Sequence, residues 1–145
     1  MSRGYISRAL RQQVQALDNG RCAYCHSPTA ITGARLVVDH IIPESEGGET
    51  VLLNLCVACH ACNEFKGSQR QGFDEVTERW VSLFHPRQQR WKEHFRWCAD
   101  GGEIVGVSDT GRATVAVLKM NHEEVVFARR RWAAVGWHPP GEDLG

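Results

Sequence analysis

The sequence has no net charge: 17 lysines and arginines stand against 17 aspartates and glutamates. A domain that grips nucleic acid through an overall positive charge is excluded, so any such grip must come from local groups. No apolar run approaches the ~20 residues needed to cross a bilayer. The opening Met1-Ser2-Arg3-Gly4-Tyr5 lacks the apolar core of a secretory leader. The expected setting is therefore the cytoplasm, with no membrane partner. No internal repeat, low-complexity tract or convincing linker breaks the chain, and neither a phosphate-binding loop nor a nucleophile motif is present.

What the chain does carry is cysteine. There are six in 145 residues, and a hydrophobic share of 42% is enough for a real core. Thiols in a reducing compartment do not pair as disulfides, which leaves metal binding as the better reading. Four fall into Cys22-x-x-Cys25 and Cys59-x-x-Cys62, while Cys56 and Cys98 stand apart. Each Cys-x-x-Cys turn can bring two sulfurs within about 2.3 Å of one tetrahedral ion. Cys56-Val57-Ala58-Cys59 has the same spacing, and His60 stands next to it, so the second half of the site stays open on spacing alone. A site closed by four thiolates has no free position and holds structure. A redox role is disfavoured, because no thioredoxin-like strand and helix surround either pair. Between Cys25 and Cys59 lie 33 residues, so something is built inside the interval.

Periodicity places an amphipathic helix over residues 7–17, with Leu10, Val14 and Leu17 on one face and Asp18-Asn19-Gly20 ending it. Residues 36–42 read as a strand stopped by Pro43, 44–48 as a polar loop with Gly47-Gly48, and 50–55 as a short apolar helix or turn. A helix is expected to start near Asn63. Further on, the spacing predicts a helix over 74–84, a hairpin from 94–98 and 103–107, and two closing helices over 112–118 and 123–135. One domain over residues 1–145 is expected, with a core about 18–70 and a C-terminal elaboration about 72–138.

Inside the cysteine interval sits Val38-Asp39-His40-Ile41-Ile42-Pro43, then Asn54-Leu55, and directly after the last cysteine Asn63-Glu64-Phe65-Lys66. These residue types suit phosphodiester hydrolysis. An imidazole with a pKa near about 6.5 can take a proton from water at neutral pH. Asp39 and Asn63 offer hard oxygen donors, which suit Mg²⁺ or Mn²⁺. Adjacent strand residues point to opposite faces, so Asp39 and His40 serve one centre only where the strand end twists or turns. Lys66 lies one helical turn beyond Asn63, within reach of a phosphate oxygen.

The ordered set of zinc pair, Asp-His strand, Asn-Leu, zinc pair, Asn and trailing lysine resembles the HNH endonuclease family over residues 21–67, about a third of the chain. The resemblance implies an α+β fold: a ββα-metal (His-Me finger) core stapled by a four-cysteine zinc site, here with an N-terminal helix and a C-terminal hairpin-plus-helices extension. It implies Cys59 and Cys62 as the second zinc pair, which makes Cys56 a core thiol. It also implies His40 as general base, Asp39 and Asn63 as holders of a catalytic Mg²⁺ or Mn²⁺, and Asn54 as a group that orients His40 or braces the loop. Asn63 stands where many members have histidine, and its neutral carbonyl favours Mg²⁺ and Mn²⁺ over softer ions. The Asp-His-Asn set is also similar to that of phage junction-resolving endonucleases. The expected partner is therefore DNA, with branched or nicked forms among the candidates.

For holding DNA, Arg87, Arg90, Lys92 and Arg96 interleave with Trp91, His94, Phe95 and Trp97, and Arg129-Arg130-Arg131 adjoins Trp132. Core packing is the competing reading for those tryptophans. His85 and His94 have no spacing that requires them at a metal. The expected activity is metal-dependent hydrolysis of DNA. The alternative is a non-catalytic, zinc-stabilised module that binds nucleic acid or protein, which would have no need of His40 and Asp39.

Overall fold

The computed structural model describes residues 4–144, so residues 1–3 of the opening stretch lie outside the described residues. The chain forms two compact units. The first runs to Arg70 and takes in His85–Gln88, and the second comprises Gln71–Phe84 and the chain from Gln89 onward. Among the described residues no helix is long and apolar enough to cross a membrane.

In the first unit, helix α1 (Arg8–Leu17) starts where the Ser7 hydroxyl accepts the Leu10 N–H, and ends at Asp18. Asn19 and Gly20 follow in the left-handed region, at φ 53° and 68°. The apolar face of α1 sends Val14 into a small core with Val38, Leu55 and Val57, flanked by Ile6, Leu10, Leu36 and Leu52. After the Cys22–Cys25 turn comes the single-turn helix α2 (Thr29–Thr32). Strand β1 (Val37–His40) then pairs antiparallel with β2 (Leu55–Ala58), setting Asp39 opposite Cys56 and His40 opposite Leu55. All four residues of β2 are buried, so no alternation marked it as a strand. Helix α3 (His60–Lys66) begins on Cys59. The β-β-α order and the α+β class expected from the resemblance are both present.

An ion pair supplements this thin core. Arg87 donates to Asp18 through Nη1 (2.8 Å) and Nη2 (2.9 Å), and through Nε to the Leu55 carbonyl (3.0 Å). Asp18 also accepts the Val57 N–H at 2.8 Å. Such a bidentate, largely buried pair fixes the end of α1 against β2.

The second unit corrects one expectation. Residues 74–84 do not form a helix; β3 (Gln71–Asp74) and β4 (Arg79–Ser82) make an antiparallel hairpin instead. The Asp74 carboxylate accepts from the N–H groups of Val76 and Thr77 and from the Thr77 hydroxyl, and Glu78 takes φ 57°. This side-chain-to-backbone bonding closes a turn where the periodicity alone suggested a helix. Arg112 donates twice to the same carboxylate, at 2.8 and 3.0 Å, and holds it well below the usual carboxylate range. Val76 and Trp80 consequently stay exposed, whereas Leu83 and Phe84 are buried.

The later hairpin, β5 (Phe95–Trp97) with β6 (Ile104–Gly106), and the helices α4 (Asp109–Val117) and α5 (Glu123–Ala134) follow as expected. Phe95 and Trp97 turn inward against Trp91, with ring centroids 5.2 and 5.7 Å away, and Arg96 turns outward. The aromatic residues between those basic residues are thus core.

Candidate metal centre and active site

The two cysteine turns meet in the first unit. The sulfurs of Cys22, Cys25, Cys59 and Cys62 all lie within 4.8 Å of one another, and Cys25 Sγ is 3.7 Å from Cys59 Sγ. Sulfurs bound about 2.3 Å from one ion stand about 3.8 Å apart on a tetrahedron, so the four fit a zinc ion. The turns are shaped for it. Cys25 N–H donates to Cys22 Sγ at 3.5 Å, and Cys62 N–H donates to Cys59 Sγ at 3.4 Å. In each pair the second backbone amide supports the first sulfur. His26 takes φ 62° to turn the chain away, and Cys59 caps α3. Cys56 is not in the cluster. It is fully buried on β2, where burial pushes its thiol well above the ordinary value. His60 is exposed on α3 and is likewise outside the cluster.

One turn of α3 beyond the knot, the chain meets β1 again. Asp39 is 4% exposed and ringed by donors. Tyr24 donates its hydroxyl to Oδ2 at 2.7 Å, and the Asn63 amide reaches Oδ1 at 3.3 Å. Lys66 places Nζ 3.1 Å from Oδ2 and 3.3 Å from Oδ1, and also donates to the His40 carbonyl at 3.0 Å. Lys66, expected to reach toward a phosphate, is instead 1% exposed and locked in this pair. The seven-residue helix that carries it directs the side chain inward against β1.

His40 is the last residue of β1. Its Nε2 lies 2.9 Å from Thr50 Oγ1 and 3.7 Å from Glu44 Oε1, and the Gly4 N–H holds the other Glu44 oxygen at 2.7 Å. The loop between the strands fixes this ring. Asn54 bonds it together: its Oδ1 accepts Ile42 N–H (2.9 Å), and its Nδ2 donates to the carbonyls of Ile42 (3.0 Å) and Glu49 (2.9 Å). With those bonds made, Asn54 braces the loop and does not touch the imidazole. A side chain at Gly48 would collide with the Ile42 carbonyl and sit 2.9 Å from Asn54 Nδ2, so the loop closes only over glycine.

Residues 22–69 match the HNH endonuclease family model. The matched HNH segment contains the four cysteines, both strands of the ββα core and all of α3. No curated protein matches the chain.

Within the HNH segment the structure brings Asp39, Asn63 and Lys66 together, and sets His40 beside Thr50 and Glu44. Of the basic residues considered for DNA, Arg87 is spent on Asp18, with a side chain 10% exposed. Arg90, Lys92 and Arg96 are exposed in the second unit. His94 belongs there too, hydrogen-bonded to Ser108 at 2.6 Å. His85 accepts the Arg87 N–H, and burial lowers its pKa. Tyr24 and Thr50 were missed as site residues. A tyrosine between two zinc-pair cysteines is itself a signal, because a buried phenol needs a hydrogen-bond partner.

The brace makes a testable demand. Asn54→Ala strips partners from Ile42 N–H and from the Ile42 and Glu49 carbonyls, and each unsatisfied group costs about 1–3 kcal/mol if it stays dry. Thermal unfolding should show a fall in stability of at least about 1 kcal/mol with the zinc content intact. A change under about 0.5 kcal/mol would show that water replaces the amide.

Proposed function

We propose that the HNH segment is a metal-dependent endonuclease that hydrolyses DNA phosphodiester bonds. The observation that carries this reading is the meeting of Asp39 and Asn63. Their side chains face each other at 3.3 Å across β1 and α3, on the residue next to His40. Two ligands about 2.1 Å from one octahedral Mg²⁺ at right angles stand about 3 Å apart, so the spacing fits. The amide of Asn63 can present either end, and its carbonyl oxygen is the donor a cation would need. A divalent cation held there supplies Lewis acidity for charge on the phosphate and the leaving oxygen.

The chain's own groups do the rest. In this reading the His40 tautomer is the one whose Nε2–H donates to Thr50 Oγ1, 2.9 Å away, with Nδ1 as the basic nitrogen. That nitrogen has no hydrogen-bond partner among the described residues and takes the proton of the attacking water. Glu44 stands behind Nε2, with Oε1 3.7 Å away. Lys66 is a positioning residue, tying the Asp39 carboxylate to the His40 carbonyl so that the strand end keeps its geometry. Zinc on the four thiolates holds the frame and takes no part in chemistry. Asp39 and Asn63 as a hard-oxygen pair favour Mg²⁺ or Mn²⁺, and branched or nicked DNA belongs among the substrates to be tried.

The test is cleavage of supercoiled plasmid and of a branched duplex by the zinc-loaded chain. Strand breaks are expected with added Mg²⁺ or Mn²⁺ and none without them. Equal cutting in the absence of both ions would remove the cation from the mechanism, and no cutting of any substrate would remove the enzyme.

A further inference from the structure

Two open clefts of about 780 Å³ each lie on the first unit. Arg11, Gln15, Asn19, Thr29 and Arg35 line one of them. The other is lined by Arg11 and Arg35 again, together with His60 and Asn63. The shared Arg11, Arg35 and Leu36 make the two adjoin, so a trough leaves Asn63 and passes along α1. No aspartate or glutamate is among the lining residues of either cleft.

Three other cations of this unit are committed. Lys66 is paired with Asp39 and Arg87 with Asp18, and Arg21 donates to the His26 carbonyl. Arg8 and Arg70 are exposed but line neither cleft, whereas Arg11 and Arg35 line both. Both are exposed, and neither makes a side-chain hydrogen bond or ion pair among the described residues. Two uncommitted guanidiniums in a carboxylate-free trough that opens on Asn63 are complementary to a chain of anions. Granting the endonuclease reading of Asp39, His40 and Asn63, the geometry points to Arg11 and Arg35 as the residues that hold the phosphates of the DNA strand beside the bond being cut. Gln15, four residues beyond Arg11 on α1, and Asn19, just past the end of the helix, add neutral donors to the trough. Contacts of this kind set position and register and read no bases. The neutral sum of the sequence hides them, because carboxylates elsewhere cancel the count without entering the trough.

The test measures binding of the full, zinc-loaded chain to a labelled DNA duplex over a range of salt, with no Mg²⁺ or Mn²⁺ added. Each phosphate contact contributes about 0.9 to the slope of log K against log salt, so Arg11→Ala with Arg35→Ala should lower the slope by about 1.8. Between about 50 and about 200 mM salt, wild type then weakens about 12-fold more than the double variant. Lysine at both positions keeps the charge and most of the slope. Zinc content reports that each variant is folded. If wild type binds and cuts while the double variant keeps its slope, the trough is refuted and the endonuclease reading stands. A slope lost instead by Arg90→Ala with Lys92→Ala and Arg96→Ala puts the contacts in the second unit and also refutes it. A trough that behaves as expected on a wild type inert with Mg²⁺ and Mn²⁺ leaves binding in place and defeats catalysis alone. A wild type that neither binds nor cuts defeats both.

Discussion

His40→Ala lowers DNA cleavage about 10²- to 10⁴-fold, the range that a positioned general base contributes, and leaves DNA affinity in place. The expectation follows from how the ring is held. Thr50 at 2.9 Å and Glu44 at 3.7 Å engage Nε2 and leave Nδ1 without a hydrogen-bond partner among the described residues. Lys66 is occupied by Asp39, and Tyr24 is pushed well above its ordinary range by burial, so its phenol stays a donor. Because His40 is itself buried, the measurement needs a control for folding. His40→Gln keeps a polar contact to Thr50 without a titratable nitrogen. Both variants should retain zinc and lose cleavage together. Recovery of activity in the glutamine variant would show that His40 serves structure alone, and cleavage within about tenfold of wild type in both would end the general-base assignment.

Cys59→Ser costs the chain its zinc and, with it, the fold of the first unit. The frame here is slight: two four-residue strands, a seven-residue helix and a core of four buried aliphatic side chains. Isolated helices shorter than about 12 residues are marginal in water, and a lone pair of strands is little better. A structural zinc supplies on the order of 10–16 kcal/mol of folding free energy, far more than these elements supply by themselves. Serine's hydroxyl is a poor ligand at neutral pH, and the three remaining sulfurs leave the tetrahedron open. Metal analysis should find about one zinc per wild-type chain and well under half of that in the variant. Cys56→Ser is the matched control. Its thiol is more deeply buried than that of Cys59 but lies outside the cluster, so zinc should persist although stability falls. Retention of zinc in Cys59→Ser, or its loss only in Cys56→Ser, would overturn the four-thiolate set.

Much of this site is legible from the chain alone because its parts are local. A Cys-x-x-Cys turn brings two sulfurs together whatever surrounds it, and Asn63 and Lys66 share a helix face by their spacing. The helix ending at Asp18 could be read in the same way, since Ser7 and Gly20 are local signals. Residues 74–84 show the limit of such reading. Their apolar spacing suits a helix, but Asp74 bonds its own turn and Arg112, 38 residues away, completes the carboxylate's partners. Strand β2 escaped notice for a related reason: a strand buried on both faces has no alternation to read.

The sequence by itself determined the Cys22–Cys25 pair and the chemical types at Asp39, His40 and Asn63, while the second cysteine pair and the ββα order were implied by the family resemblance. Spacing and side-chain chemistry are properties of the chain. Only the tertiary structure decided which cations are spent and which are free. Lys66 and Arg87 are cations on paper, yet both are buried against carboxylates 27 and 69 residues away in sequence. Arg11 and Arg35 are equally ordinary in the sequence, but they share a trough that no carboxylate lines. Charge is counted along the chain, whereas its partners are assigned in space, and a net charge of zero therefore says nothing about where a phosphate can bind.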